Sequence, residues 1–130
     1  MSDTPDTREA DRSPSLTADV VDIDRPWGHT RQLALNRPCT VKCITVQPGR
    51  RVSLQRHAER AELWQVLDGP LLVQVGENER LMQAGELVEI AVGVPHRVGN
   101  PGPGLGRFLE VCFGRFDELD IERLEDDYGR

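Results

Sequence analysis

Ser53-Leu54-Gln55-Arg56-His57-Ala58-Glu59-Arg60-Ala61-Glu62-Leu63-Trp64 is the stretch on which the reading of this chain turns. Gln55 and His57 lie two apart, so on a strand both side chains point to one face. After the polar break Ala58-Glu59-Arg60, Glu62 opens a following strand that a hairpin returns beside His57. If the shared face is an interior, an amide oxygen, an imidazole nitrogen and a carboxylate arrive together. A fourth group, His96, opens a later strand after the turn sequence Gly93-Val94-Pro95. Each residue has a plainer reading when taken singly. His57 and His96 could be core or surface histidines, Gln55 a routine strand residue, and Glu62 a surface partner of Arg56 or Arg60. Their joint spacing favours one divalent metal ion held by Gln55, His57, Glu62 and His96. A mixed nitrogen and oxygen set suits zinc, manganese, iron, cobalt or nickel, and spacing does not choose among them. Four protein ligands leave one or two positions for water or substrate, as a catalytic site requires.

Outward from this stretch, short runs of β-branched and aliphatic residues alternate with turn residues. Strands are expected at 40–47, 52–57, 61–67, 71–75, 79–83, 87–92, 96–99 and 108–113, separated by Pro48-Gly49, Asp68-Gly69-Pro70, Gly76-Glu77-Asn78, Gly85 and Asn100-Pro101-Gly102. Eight strands at this spacing, with no long helical period between them, argue for an all-β sandwich or barrel without βαβ crossovers. Residues 1–24 are rich in Ser, Thr, Pro and Asp and are expected to form a flexible tail. Arg25-Pro26-Trp27-Gly28 then marks the start of a folded domain over 25–130. Taken alone, the acidic stretch from Phe116 to the end reads as a solvated face or a short terminal helix.

A chain of 130 residues suits one ordinary domain with one core. A net charge of −6 provides no footprint for nucleic acid or for an anionic membrane surface, so neither partner is expected. An anionic substrate would have to be met by a local cluster. Lys42 is the sole lysine. Cys39, Cys43 and Cys112 lack paired close spacing and read as reduced strand residues, which suits the cytoplasm. No leader or membrane-spanning run is evident, so a soluble cytoplasmic protein is expected.

The segment from Gly49 through Gln55, His57 and Glu62 to Gly69 resembles the first motif of the cupin superfamily, and that from Gly85 through His96 to Asn100 resembles the second. The resemblance implies a cupin jelly-roll barrel with the four ligands named above. Ala91 departs from the proline usual in the second motif, and Gln55 stands where many cupins have His. That second departure, with Arg60-Ala61-Glu62-Leu63-Trp64, Arg25-Pro26-Trp27-Gly28, Val41-Lys42, Asn100-Pro101-Gly102, Glu110-Val111 and the ending 120–130, resembles the type II mannose-6-phosphate isomerase domain. The likeness covers residues 25–130 and implies that the C-terminus is a structured closing segment. It also implies an isomerase interconverting mannose 6-phosphate and fructose 6-phosphate in mannose and polysaccharide precursor metabolism. Nothing in the chain resembles the nucleotide-binding loop of the guanylyltransferase often joined to this domain.

An aldose–ketose isomerase needs an electrophile on the carbonyl oxygen, a base and a phosphate handle. Arg60, which matches the arginine of the family phrase, is the first candidate for binding phosphate or steadying negative charge, against a plain solvent-facing role. Lys42 is a further catalytic candidate and Arg97 a further substrate-binding one. Glu110 is a candidate base, against simple structural pairing. Leu63 stands where the isomerase phrase usually has a second histidine, a loss expected to remove a polar group from the pocket rim. Two other readings compete: a non-catalytic cupin that binds a sugar or nucleotide-sugar, and a metal-dependent oxygenase. A homodimer is expected, because pairing covers exposed sheet edges.

Overall fold

A computed structural model describes residues 15–130, which divide between two compact units, one ending at Arg37 and the other running from Pro38 to Arg130. In the first, a 3-10 turn at Leu16–Asp19 is capped by Ser15, whose hydroxyl accepts from the Thr17 amide. It leads into an antiparallel hairpin of β1 (Val21–Arg25) and β2 (Gly28–Gln32), paired from Val21–Gln32 to Arg25–Gly28. Residues 15–24, assigned to the tail by composition, thus carry a turn and most of a strand. The rest of the expected tail lies outside the described residues.

The second unit holds nine strands: β3 (Thr40–Val46), β4 (Leu54–Arg56), β5 (Arg60–Asp68), β6 (Leu71–Val75), β7 (Asn78–Met82), β8 (Leu87–Ile90), β9 (His96–Gly99), β10 (Gly106–Gly114) and β11 (Glu122–Glu125). They form two antiparallel sheets, in the orders β3-β10-β5-β8 and β11-β4-β9-β6-β7. Each of the eight strands expected from the sequence is present. β4 is shorter than expected, because the chain before it leaves the ladder after a single bridge from Arg51 to Gly99. The acidic terminus contributes β11, a strand rather than a helix. Its four residues are all exposed and show no apolar alternation, so periodicity alone could not reveal it.

The core lies where the sheets face each other, built from Val46, Trp64, Val66, Leu71, Val73, Met82, Ile90, Val98 and Phe108. Trp64 and Phe108 are its centre, with ring centroids 4.5 Å apart. Side-chain alternation along β5 sends Trp64 and Val66 into this core and places Glu62 just beyond it, at one end of the apolar interior. Among the described residues, no helix is long and apolar enough to cross a membrane.

Candidate metal centre

Glu62 is the hub, 1% exposed and ringed by donors. One carboxylate oxygen accepts from the Trp64 indole at 3.2 Å and lies 3.4 Å from His96 Nε2. The other accepts from Arg60 Nε at 3.0 Å, meets the Cys112 thiol at 3.6 Å and lies 3.7 Å from His57 Nε2. His57 and His96, both buried, tilt toward one another with ring centroids 5.0 Å apart. Ligand atoms of His57, Glu62 and His96 all lie within 4.8 Å of one another.

Both imidazoles are oriented from behind. His57 Nδ1 donates to the Asp120 carbonyl at 2.7 Å, and His96 Nδ1 donates to the Val94 carbonyl at 2.9 Å. A carbonyl only accepts, so each Nδ1 carries a proton and each Nε2 faces Glu62. Burial pushes the His57 imidazole below its ordinary value, more than the Asp120 carbonyl and the Glu62 charge raise it. Its Nε2 is therefore a bare lone pair, and Arg60 Nη2 donates to it at 3.2 Å. Asp120 does more: its carboxylate accepts from the Ala58 and Glu59 amides at 2.8 and 2.9 Å, fixing the turn that presents His57.

Burial also works against the charge on Glu62, but hydrogen bonds with His96, Glu110 and Arg60 outweigh it and hold that carboxyl below the usual range. Glu110 behaves oppositely: burial, then the hydrogen bond to Glu62 and its charge, push it up to about 8. The two carboxyls are coupled, and burial together with the Glu62 charge makes Glu110 the more readily protonated of the pair. Burial and the neighbouring carboxylates likewise push the Cys112 thiol up, so it stays protonated.

A cavity of about 180 Å³ opens onto these groups and is lined by Gln55, His57, Arg60, Glu62, His96 and Glu110, with Lys42, Trp64, Phe108, Glu118, Ile121 and Arg123 among its walls. The four expected ligands thus share one cavity. Gln55 pairs directly with His96 across β4 and β9, and its amide nitrogen donates to the Ser53 carbonyl at 3.2 Å. Lys42 reaches the cavity but is bound to Glu118 at 2.7 Å, above the Phe116 ring. Arg60 is buried rather than solvent-facing, packed on the same ring and donating to the Asp117 carbonyl at 3.2 Å. Two expectations are corrected. Arg97 follows His96 on a strand and so faces the opposite side, where its guanidinium donates to the Val52 carbonyl and to Glu125 rather than lining the cavity. Leu63, flanked by Glu62 and Trp64, is buried on the far face of β5, so a histidine there would not stand at the cavity rim. The sequence reading missed Trp64, Cys112 and Asp120. Alternation along β5 and β10 could have found the first two, while a backbone carbonyl as the His57 partner leaves no sequence signal.

A family model described as mannose-6-phosphate isomerase C-terminal matches residues 13–126. The chain belongs to that family. The xanthan biosynthesis protein XanB of Xanthomonas campestris pv. campestris is 42% identical to it over 109 residues, which cover 83% of this chain and 23% of that protein. The mannose-1-phosphate guanylyltransferase of Salmonella montevideo is 36% identical over 110 residues, covering 84% of this chain and 23% of that one. The chain therefore spans about a quarter of the length of these relatives. A solved protein of Klebsiella pneumoniae with a double-stranded β-helix domain superposes with a TM-score of 0.60 at 16% identity, over 97% of this chain and all of that one. The fold is thus the all-β cupin barrel, and of these two relatives one is named for xanthan biosynthesis and the other as a mannose-1-phosphate guanylyltransferase.

Proposed function

We propose that this chain is a metal-dependent aldose–ketose isomerase of a phosphorylated hexose, interconverting mannose 6-phosphate and fructose 6-phosphate. The observation that carries this reading is the pair of imidazole Nε2 atoms aimed at one buried carboxylate beside a small cavity. The donor set fits a divalent cation, with His57, Glu62 and His96 holding it and Gln55 as the fourth ligand. Such a cation supplies an electrophile for the sugar's carbonyl oxygen. Arg60 Nη2 now occupies the lone pair of His57 Nε2, which cannot serve two partners, so loading the site frees that N–H toward the cavity. There the guanidinium faces negative charge developing on the sugar oxygens.

Isomerisation removes a proton from C2 of the aldose and places one on C1, while a hydroxyl proton passes from O2 to O1, so nothing is oxidised overall. Once a cation held by Glu62 offsets the charge that keeps its neighbour protonated, Glu110, the cavity carboxyl beside Glu62, is ionised and placed to carry the carbon-bound proton. Trp64 and Phe108 give the cavity an apolar wall continuous with the core. In a coupled assay of the metal-loaded chain, mannose 6-phosphate is expected to be converted, with E110Q lowering kcat at least about a hundredfold. No turnover from a chain that demonstrably holds metal through His57, Glu62 and His96 would overturn the reading.

A further inference from the structure

Three cationic side chains, Lys42, Arg60 and Arg123, line the cavity, and two of them are already engaged. Lys42 is bound to Glu118. Arg60 is spread over Glu62, His57 and the Asp117 carbonyl. Arg123 forms no side-chain hydrogen bond or ion pair among the described residues. Its acidic neighbours on β11 are spent elsewhere, Glu122 on Arg56 and Glu125 on Arg97. A guanidinium at a cavity wall, with its counter-charges consumed by other arginines, is a vacant place for an anion.

Register places this group usefully. Arg123 pairs with Gln55, and Gln55 pairs with His96, so the three side chains stand in a row across β11, β4 and β9 on the cavity face. Adjacent strands are about 4.8 Å apart, which sets Arg123 about 10 Å from His96 along the sheet. An extended hexose phosphate has its carbonyl at one end and its phosphate at the other, so it fits that span. Arg60 adjoins the metal ligands, whereas Arg123 lies at the opposite end of the row.

We propose that Arg123 is the anion handle of this cavity, taking the phosphate monoester of a phosphorylated sugar by a paired guanidinium contact. The identity of the sugar rests on the isomerase reading, but the anion contact does not. Calorimetric titration of the metal-loaded full chain with mannose 6-phosphate, glucose 6-phosphate and unphosphorylated mannose tests it, comparing the native protein with R123Q and R123K. The expected result is an affinity for both phosphates about ten- to a hundredfold weaker in R123Q and partly restored in R123K, with any binding of mannose unchanged. In turnover the same change is expected to raise KM and leave kcat nearly intact. If R123Q binds the phosphates as tightly as the native chain, the handle is refuted and the isomerase reading stands. Arg123-dependent binding without turnover supports the handle and sinks the isomerase reading. A native chain that binds neither phosphate overturns both.

Discussion

Glu62 is buried, with donors packed against both oxygens of its carboxylate. Removing one partner of a buried ion pair strands the other, at a cost of about 3–5 kcal/mol. E62Q is therefore expected to lower the stability of the metal-free protein by about 3 kcal/mol, read from urea unfolding in the presence of a chelator, because Arg60 loses its buried anion. The same variant should lose metal binding, read as the ratio of metal to protein after gel filtration. Asp120 acts at one remove. D120A leaves the backbone carbonyl that orients His57 but removes the two amide contacts that hold the turn, and is expected to weaken metal affinity about ten- to a hundredfold. A lowered affinity in D120A with an unchanged His57 environment by NMR would refute this positioning role. His57, Glu62 and His96 were legible in the sequence, because two-residue alternation and turn signals fix which side chains meet. Asp120 was not, because its decisive contact is made by a backbone group 63 positions from its partner.

At the scale of elements, β5 and β10 carry both core and site on one alternating pattern, which is why their bounds could be read closely from the chain. β1, β2 and β11 could not: their residues are mostly polar and largely exposed, and what secures them is pairing, of β1 with β2 across a tight turn and of β11 with β4 far back in the chain. Gly114 ends β10 at a φ of +109°, and a Cβ there would drive into the Glu59 carbonyl, so G114A is expected to cost about 2 kcal/mol or more, measured by thermal unfolding. The β1–β2 hairpin carries its own pH signature. Hydrogen bonds donated to Asp24 and then Asp22 raise the His29 imidazole above 6.5, while Arg31 and then His29 lower the Asp22 carboxyl below 3.8. The His29 contribution is complete below pH 6.5 and lost as pH rises through its raised value. That of Asp22 is complete above pH 3.8 and lost as pH falls through its lowered value. The hairpin is thus best held between those limits. NMR titration is expected to place His29 above 6.5 and D24N to move it down, and an unmoved value in D24N would refute the pairing.

On the scale of the whole chain, the net charge of −6 conceals an ordered distribution of charge. The acidic closing segment lies on basic residues from the barrel, Glu118 on Lys42, Glu122 on Arg56, Glu125 on Arg97 and Asp127 on Arg51, and the Tyr128 hydroxyl donates to the Arg51 carbonyl. These pairings escape any window-based reading, since each joins residues far apart in the chain. β3 closes one edge of its sheet with Val41 exposed, and a homodimer is the proposed means of covering it. Sedimentation is expected to give twice the 14.6 kDa chain mass, and a monomer at every concentration would refute that. The segment that carries Asp120 is thus fastened in part by mostly exposed ion pairs, which salt screens to a range of about 3 Å at 1 M. A purification that washes this protein in concentrated sodium chloride would loosen the strap behind His57 and speed the escape of any metal held there. Two preparations with the same sequence and the same fold could then differ in metal content solely through the buffer each had passed through.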